Sequence, residues 1–422
     1  MLGPYRVLDC TGPLGWLTGR LLADLGADVI KIEPPGADLD DPGWRANNVN
    51  KRLLSLDLGD EAGRDAFRRI ARDADFLLES AAPGSAAADL FDPDALIAAN
   101  PKLIHVSVTP FGRSGPRARW LASDLEMMAA GGAMSLAGEP GGLPVRVSVA
   151  QSYGWAGAQA ALGAMMALTH RAATGRGQHV DVSAQAAVIA SVAHAPASWD
   201  LLGINSTRAG AFMTGRSVHG ANYRVFWPCK DGYLNFIIYG GFAGRRTNEG
   251  LVSWMTEAKA ELGVLAGIDW RRFDPTQATQ AEVDAIEDPI GRFFLTLTKA
   301  EFLEGAFERE MLGYPVFNVA DIAADPQLEA RGYWQDLPGP GGRAERFGGG
   351  VAIVDGERLA LVRPVPSAGE HSREVLAEMG FEPAEIDGLI DAGTVGVPSA
   401  GEDPSAVGDP SAVEDPSAGE NR

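Results

Sequence analysis

The sequence predicts an α/β protein, with a parallel sheet flanked by helices in a large domain and a smaller α+β domain beside it. Three observations carry this reading. Short apolar runs alternate with amphipathic helix-like runs over the first 110 residues or so, the signature of repeated βαβ units. At 422 residues the chain is long enough for two cores. Near Arg208 the alternation gives way to hairpin signals and then to helices.

Arg6-Val7-Leu8-Asp9-Cys10 reads as a buried strand. After a Gly/Pro turn, Leu17, Leu21, Leu22 and Leu25 fall at helical spacing, and Gly26 is placed to end that helix. Ala27 to Glu33 forms the next strand, stopped by Pro34-Pro35. A strand at 53–58, a helix at 60–73 with Ala66, Phe67 and Ile70 on one face, a strand at 75–78, a helix at 93–99 and a strand at 103–108 continue the series. Such a sheet carries helices on both faces and binds ligands beyond the carboxyl ends of its strands. An Ala-rich helix is expected over 154–173, a strand over 179–182 and a helix over 184–201. Lys230-Asp231-Gly232 marks a hairpin between strands at 224–226 and 233–238, and residues 245–330 read as mainly helical. The segment 331–394 holds Gly/Pro turns, a strand-like Val351-Ala352-Ile353-Val354 and a helix near 372–379.

The segments that follow are 1–221 for the large domain, 222–330 for the small domain, and 331–395 as a third stretch. The unit Asp-Pro-Ser-Ala recurs at 403, 409 and 415 in a stretch with almost no large apolar side chains, so residues 396–422 are expected to be a disordered acidic Pro/Ser/Ala tail.

Charge narrows the partners. A net charge of −20, from 56 acidic and 36 basic residues, argues against nucleic acid and anionic membrane. Only Cys10 and Cys229 occur, which suggests a reducing, cytoplasmic setting without disulfides. The N-terminal residues lack the pattern of a signal peptide. The uncharged stretch Val147–Thr169 is long enough to span a bilayer, but Gln151, Gln159, several Gly and many Ala make it a loop followed by a buried helix. The six His are scattered without metal-ligand spacing, so no metal is expected. No G-x-S-x-G elbow occurs, and Gly12 and Gly15 alone do not make a dinucleotide fingerprint.

Several segments, in order, resemble one family. They are Leu21 to Gly36 (LLADLGADVIKIEPPG), Lys51 to Leu58, Asn100 to Pro116, Thr174 to Ser183, Tyr314-Pro315-Val316, and Asp325-Pro326-Gln327 with Arg331-Gly332. Together with Pro144 to Gly157 (PVRVSVAQSYGWAG), they resemble the family III CoA-transferases, the CaiB/BaiF and formyl-CoA transferase-like group. The resemblance covers residues 5 to about 390. It implies a large Rossmann-like domain built from both chain ends, a small domain from the middle, and two chains interlocked as a dimer. It implies acyl-CoA and a carboxylic acid as substrates, with no permanently bound cofactor.

The resemblance also places the chemistry. The family segment reads roughly P-V-R-V-G-V-P-V-x-D-x-x-x-G, and its Asp carries the acyl group. Counting from either end puts Tyr153 at that position. Transfer needs a carboxylate that becomes a mixed anhydride and then a CoA thioester. A phenol, ionising near ~10, does not replace it simply. Tyr153 also reads as a side chain that fills and blocks the acyl cavity. Asp124 matches an Asp the family usually carries and reads as a positioning residue, with the nucleophile role as its alternative. The related α-methylacyl-CoA racemases use a His and an Asp that would align with Ser123 and Tyr153, so racemisation is disfavoured. Lys31, Arg52 and Arg113 are the expected contacts for the CoA phosphates, with solvated surface cations as the plain alternative. Where the family often has an Arg before Pro-Gly, in the segment Glu79-Ser80-Ala81-Ala82-Pro83-Gly84, this chain has Ala82, so a candidate phosphate contact is missing.

Three functions follow. The first is a CoA-transferase, working through an unusual residue or paired with an Asp-bearing sister chain. The second is a non-catalytic acyl-CoA-binding scaffold. The third is a CoA-dependent lyase or isomerase with Tyr153 as an acid.

Overall fold

A computed structural model describes residues 1–339, 342–350 and 352–398. The chain divides into two compact units. The first combines Met1–Ala133 and Val147–Pro196 with the described residues from Leu328 onward, and the second comprises Met134–Arg146 and Ala197–Gln327.

Six parallel strands make the sheet of the first unit: β1 (Arg6–Cys10), β2 (Asp28–Glu33), β3 (Arg52–Leu56), β4 (Phe76–Glu79), β5 (Ile104–Thr109) and β6 (His179–Ser183). Their spatial order is β3-β2-β1-β4-β5-β6, the doubly wound order that reverses between β1 and β4. Val395–Gly396 adds a short antiparallel strand on the outer edge of β3, with Val395 opposite Leu56.

The helices up to residue 174 are α1 (Trp16–Asp24), α2 (Pro42–Asn48), α3 (Glu61–Ala71), α4 (Ala86–Leu90), α5 (Pro93–Ala99), α6 (Asp124–Ala130), α7 (Ala133–Leu136) and α8 (Ser152–Thr174). One face of the sheet packs Leu8, Ile30, Leu54 and Leu77 against Ala66, Phe67 and Ile70 of α3 and against Val375 and Leu376 near the C-terminus. The other face packs Val7, Val29, Phe76 and Val106 against Leu22 of α1 and Ala156, Ala160, Ala164 and Ala167 of α8. Those four alanines recur at helical spacing, which explains how this Ala-rich helix can lie flat on a sheet. Gly157 lets α8 approach α1 closely, since a Cβ there would stand 2.8 Å from Cβ of Leu17. Thr18 Oγ1 donates to its carbonyl at 3.2 Å.

In the second unit, Phe226–Cys229, Gly232–Asn235 and Tyr314–Val316 form a three-stranded antiparallel sheet. Its core includes Trp227 and Phe236, both edge-to-face with Phe294.

The α/β reading agrees with this architecture, and differences are local. The helix expected over 184–201 is two, Ala184–Ser191 and His194–Leu202. Pro196 in the first turn of the second helix suits an N-terminus but not a helix interior. The hairpin strands are Phe226–Cys229 and Gly232–Asn235, turning at Lys230-Asp231. Of the strand expected at 351–354, Ile353–Val354 forms, while Val351 lies outside the described residues. Gly396, placed in the tail by composition, belongs to the edge strand. The tail from Ser399 lies outside the described residues. Among the described residues no helix is long and apolar enough to cross a membrane. The stretch Val147–Thr169 is loop as far as Gln151 and then α8.

Candidate active site

Ser152 and Tyr153 open α8, and Asp124 opens α6. The first N–H groups of any helix lack partners within it. Here the two helix starts satisfy one another. Oδ1 of buried Asp124 accepts from the backbone N–H of Gln151 and of Ser152 and from Ser152 Oγ, each at 2.8 Å. In return, the Asp124 backbone N–H donates to the Tyr153 hydroxyl at 3.2 Å. A Ser123–Glu126 capping box completes the start of α6. Tyr153 is half-buried, and its hydroxyl is held at this junction. The Asp124 carboxylate acts as an external cap for α8. Sequence reasoning paired the two as alternative catalytic groups; the structure brings them together as reciprocal caps.

Lys31, Arg52 and Arg113 do not converge. Lys31 lies within β2 and is 1% exposed; its ammonium donates to the carbonyls of Thr11 at 2.7 Å, Asp9 at 3.2 Å and Ile32 at 3.3 Å, and pairs with Glu33 at 3.0 Å. Beside it Lys51, fully buried, donates to Asp9 Oδ2 at 2.7 Å and Asn48 Oδ1 at 2.8 Å. Burial pushes the Lys51 ammonium down to about 8 against the pull of Asp9. Burial works to raise the Asp9 carboxyl, but Lys51 and Lys31 outweigh it and hold the group below the usual carboxylate range.

Arg52 starts β3, so it sits at the amino edge of the sheet. Its guanidinium is bidentate to Asp28, at 2.9 and 2.6 Å, and also reaches Glu374 and Glu378. Arg113 alone stands at the carboxyl edge, in the connection after β5. Its backbone N–H donates to both oxygens of Asp181, at 3.1 and 3.0 Å, and Nη1 donates to Glu79 Oε1 at 3.0 Å. No other acceptor among the described residues takes the rest of its fork.

The sequence reading passed over Glu79 and His105. Glu79 ends β4, is fully buried, and accepts from the Ala81 N–H at 2.6 Å as well as from Arg113, so it ties two edge loops together. Burial raises its carboxyl above the ordinary value. His105 lies in β5 with no exposure and no hydrogen bond at either ring nitrogen. It stands 3.8 Å from Glu79 Oε1, yet burial, with His179 and Arg113 nearby, depresses it to about 3. A ring with so little solvation is neutral, so the proximity is not an ion pair. A buried Glu closing a predicted strand was the available signal.

The CoA-transferase family III profile matches residues 2–372. Subunit BbsE of succinyl-CoA:(R)-benzylsuccinate CoA-transferase from Thauera aromatica is 34% identical, over 93% of this chain and 97% of its own. Succinate–glutarate CoA-transferase of Agrobacterium fabrum is 29% identical, over 90% and 95%. A crystal structure of a CaiB/BaiF family protein from Brucella suis superposes with a TM-score of 0.75 at 27% identity, covering 90% of this chain and 99% of that one. The chain belongs to CoA-transferase family III, enzymes that move CoA between an acyl-CoA and a carboxylic acid.

Proposed function

We propose that this chain is the nucleophile-free subunit of a CoA-transferase, paired with a homologous chain that carries the Asp. The observation that carries the reading is the junction of Tyr153 and Asp124. The phenol stands where the resemblance places the nucleophile, and its hydroxyl is tied to the Asp124 N–H. The neighbouring Asp124 carboxylate caps α8 with Oδ1. Neither group is arranged as a free attacking carboxylate. The relative from Thauera aromatica is itself named a subunit, which supports a multi-chain enzyme.

An interlocked partner accounts for apolar side chains left exposed in each unit: Leu121, Leu162 and Met166 in the first, Trp199, Leu201 and Leu202 in the second. Of the three cations, Arg113 is the one we assign to a CoA phosphate, since it is at the ligand edge with donors to spare. Lys31 and Arg52 act as internal supports. Two free cysteines accord with a cytoplasmic setting.

The test is acyl-group trapping with hydroxylamine and mass spectrometry, on the chain alone and with its sister chain. The chain alone should trap nothing and transfer little CoA, while Tyr153→Asp should yield an acyl-enzyme at residue 153. Rapid turnover by the unmodified chain alone, with the acyl group trapped on Asp124 or Glu126, would overturn the reading.

A further inference from the structure

We propose that Arg119 donates to a phosphate group of CoA at the point where the sheet order reverses, filling the place left by Ala82. The inference rests on the CoA-binding reading above.

Ligands of doubly wound sheets lie in the crevice between the two strands where the order reverses, here β1 and β4. The loops that follow these strands are joined, because the Gly12 N–H donates to Ser80 Oγ at 2.7 Å. The second loop runs from Ser80 to Gly84 and contains Ala82. Gly84 has φ +84°, a conformation suited to glycine, and a Cβ there would lie 3.0 Å from Arg119 Nε and 3.3 Å from Cδ and Cζ. The missing side chain therefore makes the bed on which the Arg119 guanidinium lies, two residues from Ala82.

Arg119 comes from the connection after β5, and that connection has a fixed shape. Arg113 anchors it to Asp181 through its backbone. Two successive turns follow, Ala118 N–H to Gly115 O at 3.3 Å and Trp120 N–H to Arg117 O at 2.9 Å. Phe111 and Trp120 close it edge to face, with ring centroids 6.0 Å apart.

Arg119 is exposed and finds no acceptor among the described residues. Some exposed arginines are taken by carboxylates, as Arg68 is by Glu61, Arg292 by Asp288 and Arg346 by Asp336, whereas Arg119 keeps its whole fork for a ligand. In a protein of charge −20, an unmatched guanidinium at the ligand edge, with Arg113 in the same connection, makes a local basic spot. The planar fork suits a phosphate, which it can meet bidentately.

The probes are CoA and dephospho-CoA, titrated calorimetrically into the full-length chain. Arg119→Ala should weaken CoA binding by about tenfold or more, the scale of one charged hydrogen bond. Arg176→Ala, an exposed change remote from this edge, should leave it unaltered. Ala82→Arg in the Arg119→Ala background should restore most of the loss. A loss seen with CoA but not dephospho-CoA assigns the contact to the 3′-phosphate, and an equal loss with both assigns it to the pyrophosphate. Either result supports the proposal. Unchanged affinity in Arg119→Ala, a loss no larger than that of Arg176→Ala, or no recovery in the double variant overturns it. Failure of the unmodified folded chain to bind CoA at all would overturn the underlying CoA-binding reading as well.

Discussion

Arg52→Met removes a guanidinium while keeping an apolar stem, and it separates a structural cation from a ligand-facing one. Arg52 is 4% exposed and holds Asp28 through two bonds, whereas its contacts to Glu374 and Glu378 lie toward solvent, with those side chains 57% and 38% exposed. Screened surface pairs contribute under about 1 kcal/mol each. Breaking a fully buried pair costs about 3–5 kcal/mol. Asp28 is 24% exposed and keeps Arg6 Nε at 2.9 Å, so part of that cost is relieved. We expect a net loss of about 2 kcal/mol. For a unit of this size that is a fall in melting temperature of about 4–8 °C. The assay is thermal melting beside CoA titration of the folded variant. A lower melting point with CoA affinity retained supports the internal role. An unchanged melting point with at least tenfold weaker CoA binding would refute the reasoning and return Arg52 to the ligand.

Two further outcomes follow. His105 has a folded pKa depressed from 6.5 to about 3, so the unfolded chain takes up its proton first. Its stability contribution is complete above about pH 6.5 and is lost as pH falls toward 3, at about 1.4 kcal/mol per pH unit. Denaturant unfolding between pH 7 and 5 should therefore show a shallower acid loss in His105→Leu, and an identical slope in both proteins would contradict this. Asp124→Ala strips three donors of their acceptor at the start of α8 and should destabilise the fold by about 2 kcal/mol. Asp124→Asn, which keeps an acceptor oxygen, should recover over half of it in the same unfolding assay.

The parallel sheet was legible because β1 to β5 are short apolar runs separated by amphipathic helices, a local pattern. Counting along a motif singled out Tyr153, and the geometry adds that its hydroxyl meets the Asp124 N–H. The surroundings of Lys31 and Arg52 were not legible. Arg52 meets Glu374 and Glu378 across more than 300 residues, and Lys31 turns inward to carbonyls that any residue type would present. Position at a strand end identifies which edge a side chain starts from, but the sign and reach of its neighbours come only from tertiary folding. The split of the helix expected at 184–201 had a local signal, Pro196, that apolar periodicity overrode.

The antiparallel strand at Val395–Gly396 has a consequence for synthesis. β3 leaves the ribosome early, but the strand that covers its outer edge is 339 positions later, counting from Leu56 to Val395. At translation rates of about 5–20 residues per second, that edge waits on the order of half a minute with unpaired N–H and C=O groups. An uncovered edge is a template for pairing with other chains. The nascent protein therefore passes through a stage that needs shielding, and a chain cut short of Val395 never leaves it.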